Sequence, residues 1–192
     1  MRILKTMACA AALMAMAGCE APGVSAPGRV TEGAQTAQAS QFTSAKPELV
    51  LKAQQVITAC VEELPDRRAV RGRLQDIGLR SEGVFERDNY YTLDGRRLVA
   101  VVSIDSDREA VCSVFVSEMS EEEATILAGL AAEPLDATRY GTDGVDIAAV
   151  WALEREGRAF ILAALERQNL RIMRGAGVAV ILDDEPLEIV EN

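Results

Sequence analysis

Histidine is absent from this chain of 192 residues. Without imidazole the chain lacks the commonest general base and the commonest transition-metal ligand. A Ser-His-Asp triad, a Cys-His dyad and a His-ligated zinc site are therefore excluded within one chain. Aromatic residues are scarce at 4%, so Trp151, Phe160 and Tyr140 are read as core packing rather than as the lining of a small-ligand pocket. No uncharged apolar run reaches the roughly 20 residues that a membrane-spanning helix needs. Positive charge is in the minority, with 20 Lys and Arg against 30 acids and a formal charge of −10. Such a surface repels phosphate, which argues against nucleic acid as a partner. What remains is 49% hydrophobic and 26% charged, an ordinary globular composition with room for one domain of about 150 residues. Nothing in it implies a cofactor or a bound metal.

The first residues read as an export signal. Arg2 and Lys5 form a basic start, Thr6 to Met16 an uncharged and mostly apolar run of eleven, and small residues follow. Loss of those two positive charges would take the net charge from −10 to −12. Met16-Ala17-Gly18-Cys19 resembles the lipobox of bacterial lipoproteins, with Met16 where Leu is usual. That resemblance implies a signal peptide over 1–18, a diacylglycerol on the Cys19 thiol and a mature chain that begins at Cys19. Ordinary cleavage after Ala15-Met16-Ala17 also satisfies the small-x-small rule. Glu20 follows the cysteine where Asp would retain the protein at the inner membrane. In a two-membrane envelope this implies the outer membrane, with the domain facing the periplasm.

Of four cysteines, Cys9 falls within the leader and Cys19 is assigned to lipid by the resemblance. Cys60 and Cys112 are then an even pair in an oxidising compartment, for which a disulfide is expected. The alternatives are two buried thiols or a redox pair, but the chain has no Cys-x-x-Cys.

Residues 19–45 are rich in Ala, Gly, Ser, Thr, Gln and Pro and have no apolar period, so they are expected to form a disordered tether. The single domain is then 46–192. Leu49, Ala53, Val56, Cys60 and Leu64 recur at helical spacing after Pro47, and Pro65 ends that helix. Asp66 caps a second helix bearing Ala69, Val70, Leu74 and Ile77, with Gly78 as its terminator. Phe85 to Leu93 reads as a strand and Asp94-Gly95 as a two-residue hairpin turn. Arg96 to Ile104 reads as a strand apolar on both faces, and Ala110 to Val116 as another. Ser120 with Glu121, Glu122 and Glu123 forms a capping box for a third helix. Leu135 to Asp146 reads as a long polar loop. Ile147 to Gln168 fits either one alanine-rich helix or two strands reversing at Glu156-Gly157, and the reversal is the preferred reading. Leu170 to Arg174 and Val178 to Leu182 are expected to form a last hairpin around Gly175-Ala176-Gly177, and the acidic end from Asp183 to fray. The sum is an α+β domain: N-terminal helices on a mainly antiparallel sheet, with one helix between two strand clusters. The clusters are alike in order, without a residue-level repeat.

Candidate chemistry is sparse. Asp105, Asp107 and Glu109 alternate as in a calcium loop, but the glycine and the distant glutamate of such a loop are missing, so a solvated turn is expected. Arg67, Arg68, Arg71 and Arg73 crowd the second helix and form a candidate patch for an anionic polymer, an anionic headgroup or an acidic envelope protein. A solvated helix face with Arg stems over apolar surface is the preferred explanation of them. The domain resembles small bacterial envelope lipoproteins stapled by one helix-to-strand cystine, a resemblance that implies no activity. The expectation is a lipid-anchored, noncatalytic binding domain. An inhibitor or accessory factor of an envelope enzyme is the alternative, ahead of a carboxylate-dependent hydrolase.

Overall fold

The apolar stripe from Leu49 to Val61 forms the first described helix, α1 (Pro47–Glu63), which buries Leu49, Val50, Ala53, Val56, Ile57, Cys60 and Val61 along one side. The computed structural model describes residues 41–140, 147–169 and 173–183. The leader, Cys9, Cys19, most of the expected tether and the acidic end beyond Asp183 lie outside the described residues. Pro65 closes α1, and the Asp66 carboxylate then accepts from the backbone N–H of Arg68 and Ala69 to start α2 (Arg67–Ile77). Gly78, at φ 104°, ends α2 in the left-handed conformation that glycine adopts without a Cβ penalty.

Eight strands follow in one sheet: β1 (Arg80–Phe85), β2 (Asp88–Leu93), β3 (Leu98–Ile104), β4 (Glu109–Ser117), β5 (Thr138–Tyr140), β6 (Ile147–Arg155), β7 (Arg158–Asn169) and β8 (Arg174–Asp183). Helix α3 (Glu121–Ala132) stands between the fourth and fifth. The spatial order is β1-β2-β3-β4-β8-β7-β6-β5, and every neighbouring pair is antiparallel. The fold is α+β. Two four-stranded meanders, each preceded by helix, meet through their last strands. The likeness of the two strand clusters is therefore one of topology.

Several boundaries differ from the sequence expectations. Phe85 to Leu93 is not one strand: the chain reverses at Glu86 and Arg87, and Phe85 pairs with Asp88. Polar Arg80, Ser81 and Glu82 conceal β1 because it is an edge strand, exposed along all six residues. The turn after β2 is longer than two residues, since Leu93 pairs with Leu98 and positive φ extends from Asp94 through Gly95 to Arg96. The polar stretch after α3 contains β5, whose Arg139 guanidinium lies 5.4 Å over the Trp151 ring. Residues 141–146 of that expected loop lie outside the described residues. Ile147 to Gln168 is the hairpin, with Glu156 and Gly157 at positive φ.

The largest correction concerns Gly175-Ala176-Gly177. It is not a turn but part of β8, paired with Ser117, Val116 and Phe115 of β4. Glycine is needed there because β4 comes close. A Cβ on Gly177 would overlap the Val114 carbonyl and lie 2.8 Å from Cδ1 of Phe115, whose ring approaches the bare glycine.

The helices lie on one face of the sheet. Cys60 of α1 is bonded to Cys112 of β4, with their Cα atoms 6.1 Å apart. The register places Val102, Val180 and Leu162 beside Cys112 on that face. Gly129 of α3 sits where a Cβ would meet the Trp151 indole at 3.4 Å, on the same side. The Cβ position of Gly78 reaches Leu93, which puts the end of α2 there as well. Val56, Ile57, Leu74, Leu127, Leu162 and Leu182 fill this core and are fully buried.

Candidate functional site

The four arginines of α2 do not form one patch. Arg73 turns toward α1 and pairs with Glu62 at 3.0 Å and Glu63 at 3.6 Å. Arg67 donates from Nη2 to the Ile104 carbonyl at 2.8 Å, tying α2 to the end of β3. Helical spacing puts Arg71 beside Arg67, one turn on. Both lie near Tyr91 of β2: burial raises that phenol's pKa, and the charges of Arg71 and Arg67 oppose the rise. The positive face therefore reduces to Arg67, Arg68 and Arg71, all exposed. The sequence indicated the helix and its capping but not this division, which depends on where α1 presents its two glutamates.

Two carboxylates stand out by environment. Glu123 is 3% exposed at the start of α3. It closes the expected capping box with Ser120: its Oε2 accepts from the Ser120 N–H at 2.9 Å. Its Oε1 accepts from the N–H groups of Thr43 at 2.6 Å and Ser44 at 2.7 Å. Burial pushes the Glu123 pKa up, but hydrogen bonds from the backbone N–H groups of Ser120, Ser44, Thr43 and Ala45 outweigh it and hold the carboxyl below its usual range. Phe42 and Ala45 are buried beside this clamp, so the folded domain begins before Lys46 and takes in the end of the expected tether. Phe42, a large apolar residue in a small-residue stretch, was the available signal.

Glu82 lies in an open polar cleft of about 660 Å³ where β1, β2 and the turn after Leu93 meet the end of α2. It accepts from the Thr92 hydroxyl at 2.8 Å and pairs with Arg96 at 3.2 Å. The hydrogen bonds from Thr92 and Arg96 lower its pKa. Both carboxylates are thus held as anions, the opposite of what a general acid requires. Within the cleft Glu82 and Arg96 already pair with each other, which suits a structural clasp better than a reaction.

No group of three or more acids or cysteines among the described residues is arranged to hold a metal ion. Around Asp105, the Ser106 hydroxyl accepts from the N–H groups of Arg108 and Glu109, which is turn chemistry. No helix among the described residues is long and apolar enough to cross a membrane.

The remaining feature is the second face of the sheet. Strand parity places Val99 and Val101 of β3, Val111, Ser113 and Phe115 of β4, Ala179 and Ile181 of β8, and Ile161 and Ala163 of β7 opposite the helices. Val99, Phe115, Ala163 and Ala179 are 0–4% exposed, yet they stand apart from the continuous helix-side core. Val101, Val111, Ile161 and Ile181 surround them and are half-buried. The positions named carry no charge, and no helix among the described residues lies on this side. The sequence showed only part of this face: β3 reads as apolar on both sides, whereas β8 was disguised by its glycines. Comparison of the chain with family models, with curated proteins and with solved structures finds no match in any of the three.

Proposed function

We propose that this protein is an exported, lipid-anchored lipoprotein whose folded domain binds rather than catalyses. The observation that carries the binding role is the second face of the sheet, an apolar surface opposite the helices and without a charge at its centre. An antiparallel sheet commonly has one face on a core and the other alternating to polar. Val101, Val111, Ile161 and Ile181 on this face are only half-buried and keep apolar surface available to a partner. The anchor rests on the Met16-Ala17-Gly18-Cys19 motif at the end of the leader. The Cys60–Cys112 cystine supports an oxidising compartment. Glu20 supports the outer membrane, with the domain in the periplasm, and Arg67, Arg68 and Arg71 offer a secondary contact to an anionic envelope polymer or an acidic envelope protein. Held as anions, Glu82 and Glu123 are not the general acid that a carboxylate hydrolase needs.

Intact-mass and peptide mass spectrometry of the chain from a bacterial membrane fraction tests this reading. The expected result is a mature chain that begins at Cys19 and carries acyl chains, and that moves to the soluble fraction when Cys19→Ser is made. A mature N-terminus elsewhere with a bare thiol overturns the anchor. Hydrolysis of a cell-wall glycan by the purified domain overturns the noncatalytic role.

A further inference from the structure

We infer that Arg67, Arg71 and the Tyr91 hydroxyl form a binding site for a phosphate group, at the place where α2 crosses β2. This gives a site and a ligand chemistry to the secondary contact proposed above for these arginines, and rests on that reading. Two anchors set α2 along β2 and β3. Arg67 donates to the Ile104 carbonyl at 2.8 Å, and a Cβ on Gly78 would lie 3.8 Å from Leu93 Cδ1. Tyr91 pairs with Ala100 between those points, and register puts its side chain on the helix side. Its ring lies beneath α2, and the residue is only 3% exposed.

Three observations point to an anion there. The first is the hydroxyl. It has no hydrogen-bond partner among the described residues, although a buried phenol usually finds one. Among those residues the one sealed polar side-chain atom without a partner is Ser117 Oγ, so the Tyr91 oxygen opens to solvent. Burial raises the Tyr91 pKa, so the phenol stays protonated and can donate. The second is charge. The guanidiniums of Arg71 and Arg67 both act on that oxygen. No acid among the described residues pairs with either of them or with the neighbouring Arg68. The nearest acids in sequence are engaged elsewhere: Asp66 accepts from the N–H groups of Arg68 and Ala69, and Asp105 lies 3.9 Å from Arg87. The third is preorganisation. The Ile104 carbonyl holds Arg67 through Nη2 and leaves the other donors of its fork available, and the helix sets Arg71 one turn away. Two guanidinium forks and one hydroxyl suit the several oxygens of a tetrahedral phosphate better than the two of a carboxylate. The formal charge of −10 opposes approach from afar, so a lone phosphate binds weakly, and binding strengthens where phosphates are dense, as at a membrane surface.

The test uses the full chain carrying Cys19→Ser, so its outcome is independent of the lipid anchor and of the apolar face. The tyrosine ring signals in an NMR spectrum come from Tyr90, Tyr91 and Tyr140, and the spectrum of Tyr91→Phe assigns the middle one. Inorganic phosphate should move the Tyr91 signal saturably in the millimolar range, and sodium chloride of equal ionic strength should not. Arg71→Gln should weaken that binding about tenfold, through loss of a charge-assisted hydrogen bond. Arg73→Gln removes an arginine already held by Glu62 and Glu63 and should change it by less than about twofold. Flotation separates the sources of phosphate. Movement with phosphatidylglycerol vesicles that Arg71→Gln abolishes identifies a lipid headgroup, whereas a chain that binds inorganic phosphate but stays off the vesicles takes a soluble one; both support the site. A Tyr91 signal that phosphate leaves unmoved, or moves equally in Arg71→Gln, overturns it. If polyglutamate moves that signal and phosphate does not, the patch is instead a contact for an acidic protein.

Discussion

Replacing Gly177 by alanine forces a methyl group into the seam where β8 meets β4. The nearest atoms are the Val114 carbonyl, Cδ1 of Phe115 at 2.8 Å and Cα of Phe115 at 3.0 Å. Two of the three are backbone, so no side-chain rotation makes room, and the strands must separate or Phe115 must leave its place. Overpacking of this kind costs about 1–3 kcal/mol, and the backbone neighbours put this site at the upper end. Losing glycine's freedom in the unfolded chain returns about 0.4–1 kcal/mol. The net expectation is a loss of about 2 kcal/mol, or a fall in Tm of about 4–8 °C for a domain of this size. Gly72 in α2 is the control: nothing lies within 4 Å of its Cβ position, so Gly72→Ala should gain about 1 kcal/mol from helix propensity. Urea denaturation followed by circular dichroism measures both. A Gly177→Ala protein as stable as its parent, beside a stabilised Gly72→Ala, would refute the close approach of β4 and β8.

Reduction of the Cys60–Cys112 bond, which spans 52 residues of sequence, should lower stability by about 4 kcal/mol in the chain-entropy account, measured as a shift in the urea midpoint with and without reductant. Glu123→Gln keeps the side chain's shape but swaps one acceptor oxygen for a donor facing backbone N–H groups, and should cost about 2–3 kcal/mol. Because folding lowers the Glu123 pKa, its contribution is complete above the unfolded-state value and is lost as pH falls through the folded-state value. Unfolding curves at falling pH should therefore show a loss in the parent that is smaller in the glutamine variant. Ser117 Oγ is buried without a hydrogen-bond partner among the described residues, so Ser117→Ala should be neutral or stabilising by up to about 1 kcal/mol in a thermal melt.

The sequence was most informative where one physical signal acted alone. The stripe of α1, the Asp66 and Gly78 caps, the Ser120–Glu123 box and the reversal at Glu156-Gly157 each depend on neighbours within a few positions, and each appears as read. Glycine was ambiguous because it serves two needs. At Gly78 and Gly157 it supplies positive φ, whereas at Gly175 and Gly177 it clears space for a strand about sixty residues away, which no local pattern records. β1 was hidden because an edge strand has no buried side to set a period. The candidate surface was half legible. Arg67 to Arg73 stand out by composition, but their partition between Glu62, Glu63 and the Ile104 carbonyl is tertiary. The apolar second face was visible in β3 alone.

The strand that completes the sheet is the last to leave the ribosome among those described. β8 lies between β4 and β7, so a nascent chain that stops short of residue 174 has two half-sheets, each with an unpaired inner edge. Such a chain cannot close its sheet early, because the decisive pairing joins residues far apart and must wait for the final segment. Until β8 arrives, the open edges of β4 and β7 can pair with other chains, so the interval before the sheet closes is when misassembly threatens most.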